Sequence, residues 1–283
     1  MAIKLLATEH DLGGLRVKRV LPHEKKKMVG PFIFFDHMGP TSFEAGQGIN
    51  VRPHPHIGLS TLTYLFEGSI LHRDSLGNHL EIMPGDVNWM TAGKGIVHSE
   101  RETFEVRANQ HRINGLQCWI ALPQTMAELE PSFNHVKKAQ LPHIIHEDIM
   151  MRLVVGEAFG MSSPVKTYSP MFYLDIAAAV GSHIEKPHSS HETAVYVIDG
   201  AVAIDGESYG AGEFILLENE SGFEFLNSGR VVMLGGKKWL STPYLNWNFV
   251  SFSKERISQA RDDWQHGRFP SIPDDNKEHI PLP

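Results

Sequence analysis

Arg52-Pro53-His54-Pro55-His56-Ile57-Gly58 decides how this chain folds, together with its distant counterpart Gly95-Ile96-Val97-His98-Ser99-Glu100. Both stretches lie among β-branched and aromatic runs and read as strand. Strand side chains alternate between faces, so His54 and His56 point one way, and so do His98 and Glu100. Three imidazoles and a carboxylate suit a divalent first-row metal such as Fe, Mn, Ni, Cu or Zn, and no thiolate draws the set towards a structural zinc site. A six-coordinate ion held this way keeps about two positions open for water, dioxygen or a substrate oxygen, which points to chemistry.

Outward from this pair, the strand pattern continues. Thr61 to Phe66 ends at Glu67-Gly68, Ser69 to Asp74 ends at Ser75-Leu76-Gly77-Asn78, Leu80 to Met83 ends at Pro84-Gly85-Asp86, and Val87 to Met90 ends at Ala92-Gly93-Lys94-Gly95. Short strands punctuated by turn residues at this interval predict an antiparallel all-β sandwich or barrel. A closed or nearly closed barrel brings the His98 strand back beside the strand of His54 and His56, although His56 and His98 are 42 positions apart.

A second, weaker copy follows. His188 and Gly200 are twelve positions apart, as are His56 and Gly68, and Gly210-Ala211-Gly212-Glu213 parallels Met83-Pro84-Gly85-Asp86. The copy has lost its ligands: Lys186 stands where His54 stood, and no histidine follows Gly212 in the strand matching His98. His188, His191 and Glu192 are a partial set, read as surface or vestigial. The expected organisation is a metal-binding barrel over residues 1–135, a barrel with no complete metal site over 136–250, and a helix with a Pro-rich tail over 251–283. In the tail, Ser253 is the predicted N-cap, Ile257, Ala260 and Trp264 recur at helical spacing, and Gly267 is the stop.

The totals bound the function. The chain has 283 residues, 41% hydrophobic and 21% charged, which is ordinary for a globular protein, and no apolar run is long enough for a membrane helix. A net charge of −7 argues against direct nucleic-acid contact, which needs clustered Lys and Arg. The single cysteine, Cys118, lies in an apolar run and reads as a buried structural thiol. With no export signal at the N-terminus and no disulfide pair, the expected compartment is the cytoplasm.

These motifs resemble the cupin superfamily and, more closely, the pirin family of bicupins. The resemblance rests on Arg52 to Gly58, Tyr64-Leu65-Phe66-Glu67-Gly68, Pro84-Gly85-Asp86, Trp89 through Glu100, and the C-terminal Trp247 to Ser251 and Gly267 to Pro270. It implies an all-β protein of two cupin-type antiparallel β-barrels with a C-terminal helix and extended tail. General cupins take a fourth ligand from a glutamate four residues after the second histidine of the pair; here that position is Ser60, and Glu100 takes its place in the pirin arrangement. By resemblance, then, His54, His56, His98 and Glu100 bind one iron. Glu102 is a weaker ligand candidate, Asp36 and His37 are candidates to line the pocket, and His72 and Asp74 receive no role.

The resemblance further implies an activity. Some pirin relatives cleave flavonols such as quercetin with dioxygen, so a small aromatic substrate and dioxygen are the expected partners, with Glu100 as ligand and as the base that takes the flavonol proton. The alternative is a redox- or metal-sensing regulator that binds a transcription factor or a metabolic enzyme, since eukaryotic pirins are associated with transcription factors.

Overall fold

Short runs of β-forming residues between glycine turns make the computed structural model, which describes residues 2–12 and 14–283, mostly β. The chain divides into two units. One comprises Glu9–Arg19, Phe34–Lys138 and Ser241–Pro283; the other comprises Met1–Thr8, Val20–Ile33 and Ala139–Leu240. Strand Ser132–Val136 runs across position 135 to pair with Val87–Thr91, and strand Ile3–Leu5 pairs with Phe214–Leu217. The two units are thus interleaved in sequence, and the C-terminal residues group with the strands that carry the histidines.

In the first unit a four-stranded antiparallel sheet runs Val51–His56, Ile96–Arg101, Ile70–Asp74, His79–Ile82. A seven-stranded sheet includes Val87–Thr91, Leu59–Glu67 and His111–Ala121 side by side. The second unit repeats the plan with Phe214–Leu217, His191–Asp199 and Gly229–Lys237 as the equivalent neighbours in its larger sheet. This cupin-type architecture of two β units and a C-terminal helix is the fold class the strand pattern and resemblance led us to expect. Equivalent turns share a backbone: Gly85 and Gly212 both sit at φ 85°, a conformation that costs glycine little and other residues much more.

What differs is the filling. In the first unit Thr63 lies opposite Asn88 on one side and Gln117 on the other, a buried polar row. In the second unit the matching row is Val195 opposite Ile215 and Met233. Around that row Leu153, Phe172, Leu174, Val197, Phe223 and Phe225 complete a hydrocarbon core. Each such side chain contributes about 1.5–3 kcal/mol on burial, so the second unit is held by its core. The first unit keeps a smaller apolar cluster at one end, including Leu65, Ile70, Ile82 and Ile113, and leaves a polar interior elsewhere.

The C-terminal helix spans Lys254–Gln265. Ser253 Oγ accepts from the Arg256 N–H at 3.2 Å, and Gly267 at φ 66° follows its end. Its buried face, Ile257 and Ala260, packs on Ile57 and Phe249, with Trp247, Trp264, Phe269 and Leu282 around them. Among the described residues, no helix is long and apolar enough to cross a membrane.

Candidate metal centre

Pairing of the His54 and His98 strands builds the site. His98 is the direct cross-strand partner of His54, and strand alternation puts His56 on the same face two positions on. The imidazole centroids of His54 and His98 are 4.3 Å apart, and His56 lies 5.0 Å from each. One ligand nitrogen from each ring falls within 4.8 Å of the others, and all three residues are buried. Among the described residues this is the one cluster of three or more histidine, cysteine or carboxylate side chains so arranged.

The rings are prepared electrically as well as geometrically. His54 Nδ1–H donates to the Arg52 carbonyl at 2.8 Å and His56 Nδ1–H to the Asn248 carbonyl at 3.1 Å, which leaves each Nε2 as an open lone pair. Burial lowers His54 to about 4 and, with the neighbouring imidazoles, holds His56 and His98 well below the usual histidine range. All three are neutral at pH 7, as metal ligands must be. His56 Nε2 and His98 Nε2 stand 3.1 Å apart. Two nitrogens each about 2.1 Å from one ion, at a right angle, are separated by about 3.0 Å, so the spacing fits a shared divalent metal.

Glu100 sits on the His98 face of its strand but outside the 4.8 Å group. The register of the His98 strand against Ile70–Asp74 is regular, whereas against Val51–His56 it slips between His98 and Glu100, which places an extra residue in the Pro-rich strand. Burial pushes the Glu100 carboxyl above its ordinary range; His72 and a 3.5 Å hydrogen bond from Thr63 Oγ1 pull the other way. Thr63 gives its shorter bond, 2.7 Å, to Gln117 Oε1.

Two residues to which alternation gave no role lie at the site. His72 is opposite Glu100, its ring 5.4 Å from His98 and stacked on Phe133, and it hydrogen-bonds Asp74 through Nε2 at 3.0 Å. Their i, i+2 spacing is the signal of the His54–His56 pair, and only the pairing with Glu100 shows where they point. The other candidates are engaged elsewhere. Glu102 takes a 2.8 Å hydrogen bond from His111, Asp36 is clamped by Arg19, and His37 bonds Asn114. Ser60 shares a hydrogen bond with Thr91. In the second unit His188 donates to the Glu157 carbonyl, while Glu192 accepts from Lys26 and the Gly30 N–H. A groove of about 580 Å³ in that unit, bordered by Asp148, Asp199 and Arg230, shares no residue with the histidine cluster.

Residues 14–120 match the Pirin family and residues 173–270 match the Pirin C-terminal cupin domain. The chain belongs to the pirin family. It is similar to a pirin-like protein of Caulobacter vibrioides, 46% identical over 98% of this chain and 97% of that one. A Pseudomonas aeruginosa protein provisionally named quercetin 2,3-dioxygenase is 37% identical over 90% of this chain and 80% of its own. Among solved structures, a quercetin 2,3-dioxygenase from Acinetobacter baumannii superimposes with a TM-score of 0.90 at 33% identity, covering 100% of this chain and 94% of that one. In this pirin the polar interior and the three histidines coincide in one unit.

Proposed function

We propose that His54, His56 and His98, together with Glu100, hold one divalent metal, iron in the cell, and that this pirin uses it to oxidise flavonols with dioxygen in the manner of a quercetin 2,3-dioxygenase. The observation that carries the reading is the convergence of three neutral imidazoles in a polar interior whose counterpart in the second unit is hydrocarbon. Similarity to the Acinetobacter baumannii quercetin 2,3-dioxygenase supports the reaction class. When bound, the metal supplies Lewis acidity to a substrate oxygen and open positions for dioxygen.

The chain's own residues do the rest. The Arg52 and Asn248 carbonyls fix the rings of His54 and His56, so both Nε2 atoms stay aimed at one point. Glu100, with its carboxyl pushed up by burial, is the base that takes the flavonol hydroxyl proton at a carboxylate oxygen. Trp119, edge-on to His56 at 5.0 Å and stacked on Phe34 at 3.9 Å, stiffens the wall beside the cluster.

The test is anaerobic purification with metal analysis, then quercetin loss and dioxygen uptake for wild type and His56→Ala. One metal per chain and coupled consumption of both reactants are expected, with both lost in His56→Ala. Iron-loaded wild type that consumes no flavonol overturns the enzyme reading and favours a metal-dependent regulator acting on a protein partner.

A further inference from the structure

The strands that carry the histidines are gripped from outside by a distant part of the chain. Asp275 accepts from Ser99 Oγ at 2.7 Å and from Arg101 Nε and Nη2 at 2.9 and 2.8 Å. Ser99 separates His98 from Glu100, and alternation turns its side chain away from the cluster, so Asp275 pins this strand on its outer face. Asp275 and Ser99 are both buried. On the neighbouring strand the Ile280 N–H donates to the Pro53 carbonyl at 2.9 Å, next to His54. The Trp264 indole in turn donates to the Ile280 carbonyl at 2.9 Å.

The same segment supplies the partner of His56. Strands Tyr244–Asn246 and Phe249–Ser251 form a hairpin whose two-residue turn is Trp247-Asn248. Trp247 sits at φ 52°, a left-handed conformation that costs a bulky L-residue about 1–2 kcal/mol. Its ring is held edge-on to Phe249 at 5.3 Å and near Trp264 at 6.4 Å. Strain of this kind persists only where the surroundings over-determine it, and here the strained turn presents the Asn248 carbonyl to His56 Nδ1. Phe249 pairs in parallel with Ile57, and the Val250 N–H bonds the Ile57 carbonyl at 3.1 Å.

We propose that the C-terminal segment, residues 244–283, is a strap that sets how tightly the histidine cluster holds metal, with Asn248 orienting His56 and Asp275 holding the His98 strand in register with the His54 strand. This rests on the metal-site reading above. The strap residues are positioning residues: none of them is a ligand, and each acts through the strand or ring it holds. Because coupling between sites is reciprocal, metal that tightens the cluster must also tighten the strap.

Nickel(II) is the probe, being redox-stable in air and suited to imidazole. Nickel-loaded wild type, Asp275→Ala, Asp275→Asn and Ser99→Ala are mixed with excess chelator, and release is followed with limited proteolysis of the segment in parallel. Groups bonded directly to metal ligands typically govern affinity by about 10- to 100-fold, and Asp275 acts one step further out through Ser99 and Arg101, so Asp275→Ala should release nickel up to about tenfold faster, with Asp275→Asn and Ser99→Ala between it and wild type. Nickel should slow cleavage within residues 254–283 of wild type and do so less in Asp275→Ala. Ser99→Ala removes one hydrogen bond and no charge, and so keeps the test available if Asp275→Ala fails to fold. Wild type that binds no nickel overturns the metal-site reading. Wild type that binds nickel, with variants that release it at the wild-type rate while their tails are cleaved faster, overturns the strap alone.

Discussion

Replacing His98 with leucine separates a histidine kept for metal from one kept for the core. Among the described residues His98 Nδ1 is buried with no protein hydrogen-bond partner, which costs about 1–3 kcal/mol. The His56–His98 contact between Nε2 atoms returns about 0.5–1.5 kcal/mol. Leucine removes the orphaned nitrogen and the contact together, and leaves His56 Nε2 unpaired at a cost of about 1–3 kcal/mol. At mid-range the two losses exceed the relief by about 1 kcal/mol, so His98→Leu in chelator is expected to be about 1 kcal/mol less stable than wild type. An ordinary core truncation such as Leu174→Ala, fully buried in the second unit, costs about 2–5 kcal/mol. With nickel(II) at about 100 times its Kd, wild type gains about 2.7 kcal/mol and His98→Leu gains nothing. Urea unfolding followed by tryptophan fluorescence, with chelator and then with nickel, reads both quantities. A His98→Leu protein that loses more than about 3 kcal/mol in chelator, beside a wild type that nickel does not stabilise, would refute the reasoning and make the cluster a structural core.

Three further outcomes follow from the same geometry. Burial draws the Asp275 carboxyl upward, but Arg101 and Ser99 outweigh it and hold it below the ordinary carboxylate range; a depressed carboxyl contributes stability that is present above its unfolded pKa, about 3.9, and lost as pH falls through the folded value. The stability gap between wild type and Asp275→Asn should therefore be constant from about pH 8 to 5 and shrink below about pH 4, as urea midpoints at each pH will show; a gap that widens in acid contradicts it. Gly58→Ala should destabilise the first unit by at least about 1–2 kcal/mol and loosen the C-terminal hairpin, because Gly58 has φ 70° and an added Cβ would lie 2.0 Å from the Val250 carbonyl oxygen; unchanged thermal unfolding would sink this. Cys118 is fully buried and burial pushes its thiol well up, so iodoacetamide should leave the native protein unmodified and label it only on unfolding, as mass spectrometry reports directly.

Much of the site was legible because strand geometry has a period of two. His-x-His within a strand names a face whatever surrounds it, and so does His98-x-Glu100. That the two strands meet also follows from the regular alternation of strands and glycine turns between them, while the cluster that forms holds the three histidines and leaves Glu100 outside. The same signal was ambiguous at His72 and Asp74, where it marks one face equally well and only the position opposite Glu100 distinguishes a site neighbour from a turn residue. The second copy's departure was visible at Lys186, which stands where His54 stands, and its apolar filling could be read from Val195 standing where Thr63 stands.

The sequence by itself determined the strand period, the duplicated plan and the three imidazoles that share a face, since each is set by local alternation and turn chemistry. Only the tertiary structure decided which groups hold those imidazoles in place. The Asn248 partner of His56 is a backbone carbonyl, which every residue type possesses and no motif can mark. Asp275 lies 176 positions from Ser99, and Glu278 joins it on Arg101 of the same strand, contacts between remote segments that no local spacing marks. Residue type sets what a side chain can do; the pairing of remote segments sets what it faces.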